Sequence, residues 1–269
     1  MNINLPFFPE RTTKPRESGL TMVMDKGLST KEVENFIEMC APLTDLVKLG
    51  FGTAVVSPNI EQKIKLYQKA NIQTYLGGTL FEAFVIRGRF TDYLKLMDRL
   101  GLSTAEVSDG SMYMHHSEKL DYIRQLAKHF TVLSEVGSKQ KGVEIRDEVW
   151  VEMMKTELDA GAWKVIGEAR ESGTTGIYHD DGSANENLIN LINTKLSASD
   201  VLWESPSGKQ QAWFIKRIGP NVNLGNIAYN DVIPLECLRL GLRGDTFFDF
   251  LPESLREKKP DSGMYQQLD

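Results

Sequence analysis

Asp25, Lys48, Glu106, Glu135, Glu168 and Glu204 each stand near the end of a short apolar run, in TMVMDKG, DLVKLG, TAEVSDG, TVLSEVGSK, KVIGEAR and VLWESP. A strand buried on both faces reads as nearly uninterrupted Val, Ile and Leu, because burying an unpaired charge costs several kcal/mol. One such charge is explained by a structural ion pair. Six of them, spaced mostly at about 25 to 35 residues, the length of one strand–helix unit, describe a shared polar site.

Period-two alternation sorts these residues by face. Ile166, Glu168 and Arg170 share one face, as do Leu133, Glu135 and Gly137, with Lys139 on the same parity. Leu202 aligns with Glu204, and Val23 with Asp25. The arrangement predicts a cup in which carboxylates converge with Lys48, Lys139 and Arg170. Crowded carboxylates repel unless a cation neutralises them, and oxygen donors without a His or Cys cluster favour a hard cation, Mg²⁺ over Zn²⁺. Glu106, Glu135 and Glu168 are the expected metal shell, completed or supported by Asp25 or Glu204. The competing expectation is a set of ion pairs that only stabilise the fold. Buried pairs return little net stability, which favours chemistry for the set as a whole.

An anion site is expected after the seventh strand signal, where SPSGKQQ supplies Ser207, Gly208 and Lys209, and at the eighth, where NLGNIA supplies Gly225 and Asn226. Backbone amides at such places commonly hold phosphate. His115, His116, His129 and His179 show no zinc spacing, and no nucleophile elbow or Cys–His pattern occurs.

Strand and helix signals alternate from about residue 20 to about residue 240. LSTKEVENFIEMC follows the first strand, with Ser29 or Thr30 as cap and Val33, Phe36, Ile37 and Cys40 at helical spacing. FTDYLKLMDRLGL, SEKLDYIRQLAKHF, RDEVWVEMMKTELDAGA and NENLINLINTKLS continue the series. EAFVIRGRF is an extra segment in the third connection, and IPLECLRLGLRG closes the chain of elements. Eight strand signals joined by mostly helical connections predict parallel pairing and a single (β/α)₈ TIM barrel, an α/β fold. An open doubly wound sheet often carries a glycine fingerprint after the first strand, and DKGLST lacks one.

The length of 269 residues suits one barrel domain over residues 1–269, with a peripheral N-terminal segment 1–18 and a polar C-terminal tail 252–269. A net charge of −6 offers no basic footprint for nucleic acid. No apolar stretch approaches the roughly 18 residues of a membrane span, and the N-terminus lacks the basic start and apolar run of a signal peptide. Cys40 and Cys237 are expected as buried free thiols, and the chain as cytoplasmic. A homo-oligomer is compatible with all of this.

The segments DKGL, DLVKLGFGT, YLGGTLFE, EVSDGS, LSEVGSK, KVIGEARESG and GPNVNLGNIA…VIPLECLRLGLRGDTF resemble the phosphosulfolactate synthase family, over about residues 14 to 250. That resemblance implies a Mg²⁺-dependent (β/α)₈ lyase adding sulfite to phosphoenolpyruvate, giving (2R)-O-phospho-3-sulfolactate. In methanogens the reaction opens coenzyme M synthesis, and bacterial relatives make sulfolactate. It also implies Lys139 as the acid that protonates C2, with Lys48 and Arg170 holding anionic groups. Without the resemblance, the cup equally suits another metal-dependent enolate-type lyase or aldolase on a phosphorylated acid. Plant relatives linked to heat tolerance share the pattern, so a non-catalytic stress-related barrel is the other alternative.

Overall fold

The computed structural model describes residues 3–138, 142–143, 145–170 and 172–260. Eight strands run in chain order: β1 (Thr21–Asp25), β2 (Leu46–Leu49), β3 (Gln73–Leu76), β4 (Thr104–Val107), β5 (Thr131–Val136), β6 (Lys164–Gly167), β7 (Val201–Glu204) and β8 (Leu224–Ala228). The helices are α1 (Thr30–Cys40), α2 (Thr53–Val56), α3 (Ile60–Lys69), α4 (Gly78–Val85), α5 (Phe90–Leu100), α6 (His116–Leu126), α7 (Asp147–Asp159), α8 (Glu186–Lys195), α9 (Gly208–Ile218), α10 (Val232–Arg239) and α11 (Glu253–Arg256). All paired strands are parallel, in the order β3-β2-β1-β8-β7-β6-β5-β4. The Thr104 hydroxyl lies 3.3 Å from Gln73 Oε1 and bridges β4 to β3, so the sheet is a near-closed barrel.

Side chains sort into layers as the pleat requires. Leu20, Met22, Leu46, Tyr75, Leu133, Ile166 and Leu202 fill the interior, while residues of opposite parity pack under the helices. Capping agrees with the expected start of α1. Ser29 Oγ accepts from Glu32 N–H, and the Glu32 carboxylate accepts from Ser29 N–H, a reciprocal capping box. The EAFVIRGRF segment proves to belong partly to a helix, α4, which buries Gly78, Leu80, Phe81 and Glu82. A helix apolar around most of its circumference has little 3.6-residue periodicity to reveal it.

The N-terminal segment is tied to the barrel by three cationic side chains. Arg11 pairs with Glu236 at 3.0 Å and Arg16 with Asp45 at 3.0 Å. Lys14 Nζ donates to the carbonyls of Ala41, Thr44 and Asn71. Buried Arg239 donates to the carbonyls of Pro220, Val222 and Leu20. These carbonyls precede β1, β2, β3 and β8, so cationic side chains cover the barrel end opposite the cup. Cys40 is buried as expected, whereas Cys237 is only half-buried, and neither forms a disulfide. No described helix is long and apolar enough to cross a membrane.

Gly225 shows how tightly the interior is packed. A Cβ there would meet Leu202 Cδ2 and lie 2.7 Å from Met22 Cε. Gly225→Ala should therefore lower unfolding stability by about 1–3 kcal/mol, measured by urea denaturation.

Candidate active site

The C-terminal ends of the strands converge on the ammonium of Lys48. Lys48 extends inward from β2, and its Nζ lies 3.1 Å from Glu106 Oε2, 3.0 Å from Glu135 Oε2 and 3.1 Å from Glu204 Oε1. All four side chains are buried. Burial alone would pull the lysine pKa down, but Glu106, Glu135 and Glu204 outweigh it and leave it well above the usual 10.5. Lys48 is thus a buried cation at neutral pH among these glutamates. Burial, then Glu106, push the Tyr75 phenol in the same interior well above its usual range, so it stays neutral.

Each of the three glutamates is held by a second donor. Glu106 Oε1 accepts from Gly78 N–H at the start of α4. Glu135 Oε1 lies 3.0 Å from Ser108 Oγ, and Glu204 Oε2 accepts from Ala169 N–H at 2.9 Å. The carboxylates are therefore preoriented from both sides. Glu168, just past β6, is equally buried, and one carboxylate oxygen from each of Glu135, Glu168 and Glu204 lies within 4.8 Å of the others. An all-oxygen cluster of this kind fits a hard divalent cation, since an oxygen that accepts one hydrogen bond keeps a second lone pair for ligation. Glu204 thus joins Glu135 and Glu168 in the compact cluster. Glu106, also expected in the metal shell, meets Lys48 Nζ with one oxygen and the Gly78 N–H at the start of α4 with the other.

These groups open into a cavity of about 200 Å³ lined by Met24, Lys48, Phe51, Gly78, Thr79, Glu135, Glu168, Ala169, Arg170, Glu204 and Asn226. Arg170 is one of these lining residues. Lys139 lies outside the described residues.

Asp25 does not face the cup. It shares the outward parity of Val23, and its carboxylate meets Lys63 Nζ at 2.8 Å and the Tyr67 hydroxyl at 3.0 Å. The N–H groups of Gly27 and Leu28 fill its other oxygen, each at 2.8 Å. Met22 and Met24 occupy the inward positions of β1 instead. The expected anion cradle is also divided. Asn226 lines the cavity, and Gly225 faces the interior beneath it. Exposed Ser207 and Lys209, with Gly208, lie in the first turn of α9 and do not line the cavity. There the Ser207 hydroxyl is engaged in a capping box with Gln210.

Several contributing residues escaped the sequence reading. Buried Glu82 on α4 accepts from Ser111 N–H at 2.8 Å and lies 2.7 Å from Ser108 Oγ, whose single hydroxyl hydrogen it shares with Glu135, tying α4 to the loop after β4. Fully buried Lys119 donates to the Glu135 carbonyl at 2.6 Å, to Asp109 Oδ1 at 2.8 Å and contacts Glu157 Oε1 at 2.9 Å. The motifs YLGGTLFE and EVSDGS contain Glu82, Ser108 and Asp109, so their polar residues were the available signal.

A parallel barrel with a buried carboxylate cup at its strand ends, of a kind that fits a hard cation, defines the TIM-barrel class of protein. Comparison with known proteins narrows the class. The family model described as (2R)-phospho-3-sulfolactate synthase (ComA) matches residues 9–245, and the chain belongs to that family of lyases. A phosphosulfolactate synthase of Bacillus subtilis is 39% identical over 243 residues, covering 89% of this chain and 96% of that protein. One of Methanocaldococcus jannaschii is 39% identical over 237 residues, covering 86% and 94%. Among solved structures, the YdjI aldolase of Escherichia coli K12 superposes with a TM-score of 0.54 at 11% identity, covering 87% of this chain and 91% of that one, a likeness of fold alone.

Lys48→Met should leave Glu106, Glu135 and Glu204 without their common cation. The variant is expected to lose about 3–5 kcal/mol of unfolding stability in urea, the usual consequence of breaking a buried pair.

Proposed function

We infer that this chain catalyses the addition of sulfite to C3 of phosphoenolpyruvate, with Mg²⁺ held by Glu135, Glu168 and Glu204. The observation that carries the reading is their convergence with Lys48 in one cavity of a chain in this family. The sulfite sulfur lone pair forms the C–S bond at C3. The C2–C3 π pair moves towards C2 and into the carboxylate, and C2 then takes a proton, giving (2R)-O-phospho-3-sulfolactate. When bound, Mg²⁺ supplies Lewis-acid stabilisation of the developing enediolate charge.

The protein's own groups divide the remaining work. Lys48 stays protonated and contributes a fixed positive charge beside that dianion, in a site where burial strengthens every such interaction. The C2 acid in this reading is Lys139, the role the family resemblance implies. Arg170, at the exposed rim of the cavity, meets an incoming anion. Glu106, through Gly78 and Lys48, fixes the distance between α4 and the carboxylate cluster.

Purified protein incubated with Mg²⁺, phosphoenolpyruvate and sulfite should form phosphosulfolactate, followed by ³¹P NMR. Chelation should stop the reaction and added Mg²⁺ restore it. Glu135→Gln should lower kcat/KM by about 100-fold or more. No product from folded wild-type protein, or full activity in Glu135→Gln, would refute the assignment.

A further inference from the structure

Helix α4 begins inside the active cavity, and the reaction above gives its N-terminus no role. Gly78 and Thr79, its first two residues, both line the cavity beside Lys48 and Arg170. The approach is possible only because residue 78 is glycine. A Cβ there would collide with Ser108 Cβ and lie 2.9 Å from Glu106 Oε1. The helix is eight residues long, and its N-cap, Gly77, carries no side chain to satisfy the first-turn N–H groups. Glu106 takes the N–H of Gly78. Thr79, at the second helical position, has no intrahelical carbonyl for its own N–H, and this half-buried residue lines the cavity.

An independent observation comes from the far side of the barrel. Asn226 on β8 is only 6% exposed and lines the same cavity, yet its Oδ1 has no hydrogen-bond partner among the described residues. Its backbone is left-handed, with φ 55°, a conformation that asparagine tolerates and most side chains do not. A buried amide end without a partner costs about 1–3 kcal/mol, so its retention on a cavity wall points to a ligand. Half a turn about its terminal torsion presents the Nδ2–H₂ donor to that ligand in place of Oδ1.

We propose that the N-terminus of α4, with the Thr79 hydroxyl and the Asn226 amide, is the subsite for the substrate's phosphoryl group. The proposal rests on the reaction inferred above, and it moves the phosphoryl group away from the first turn of α9. A phosphoryl group brings several acceptor oxygens and a double negative charge. Those match a helix N-terminus with neutral donors, while the carboxylate cluster and its cation engage the carbon skeleton. Lys48 and Arg170 offset the glutamate charge that such an anion would otherwise meet.

Inorganic phosphate separates this subsite from turnover. With Mg²⁺ saturating, its binding is measured by calorimetry for wild type, Thr79→Val, Asn226→Gly and Lys209→Ala. Thr79→Val is isosteric, and Asn226→Gly keeps the left-handed backbone. Each is expected to weaken phosphate binding about 10- to 100-fold and to raise KM for phosphoenolpyruvate in proportion, with sulfite affinity unchanged. Wild-type phosphate affinity in both variants, or loss only in Lys209→Ala, would overturn the proposal. So would wild-type protein that takes up no phosphate, or a fall in sulfite affinity alone, which would give the subsite to the nucleophile. Failure of product formation with phosphate binding intact would count against the reaction and leave the subsite standing.

Discussion

One buried ammonium organises the functional end of this barrel. Lys48 reaches from β2 to glutamates on β4, β5 and β7, each about 3 Å away and each fixed again by a donor on another element. Buried carboxylates so close together are tolerable only with a shared counter-charge. The lysine supplies part of it, and a divalent cation held by Glu135, Glu168 and Glu204 would supply more. The same contacts hold a positive charge in place among the glutamates, where the proposed anionic intermediate would meet it. Stability and chemistry therefore depend on the same contacts.

Support for the cup extends outward through the helical layer. Lys119 links the Glu135 carbonyl to Asp109 and to Glu157 on α7. Glu82 and Ser108 join α4 to the loop after β4. The opposite end of the barrel is covered by Arg11, Lys14, Arg16 and Arg239, whose donors satisfy carbonyls that precede the strands. Strand ends carry exposed polar backbone, and each end of this barrel meets that need differently. One end is sealed by fixed cations, while the other is left open as a cavity.

The barrel was legible because its strands announce themselves as short apolar runs and most helices carry a clear apolar stripe. Helix α4 was missed where that stripe disappears into an almost wholly apolar surface. Glu106, Glu135, Glu168 and Glu204 were legible as charges in otherwise apolar strands. Asp25 looked identical in sequence and faces the other way. In TMVMD both parities are apolar enough to be buried, so alternation could not choose a face. Methionines took the interior, and Asp25 found Lys63 and Tyr67 among the helices. Pairings such as Ser108 with Glu135 join residues 27 positions apart and belong to the closed barrel, not to any local pattern.

Glu135, Glu168 and Glu204 are placed to form one divalent-cation site beside Lys48. Manganese can replace magnesium as a spectroscopic probe, and electron paramagnetic resonance counts the bound ions directly. One Mn²⁺ per chain is expected in an oxygen-only environment, displaced by Mg²⁺ and lost in Glu168→Gln. Absence of a bound ion in the wild-type protein, or undiminished binding in Glu168→Gln, would contradict it.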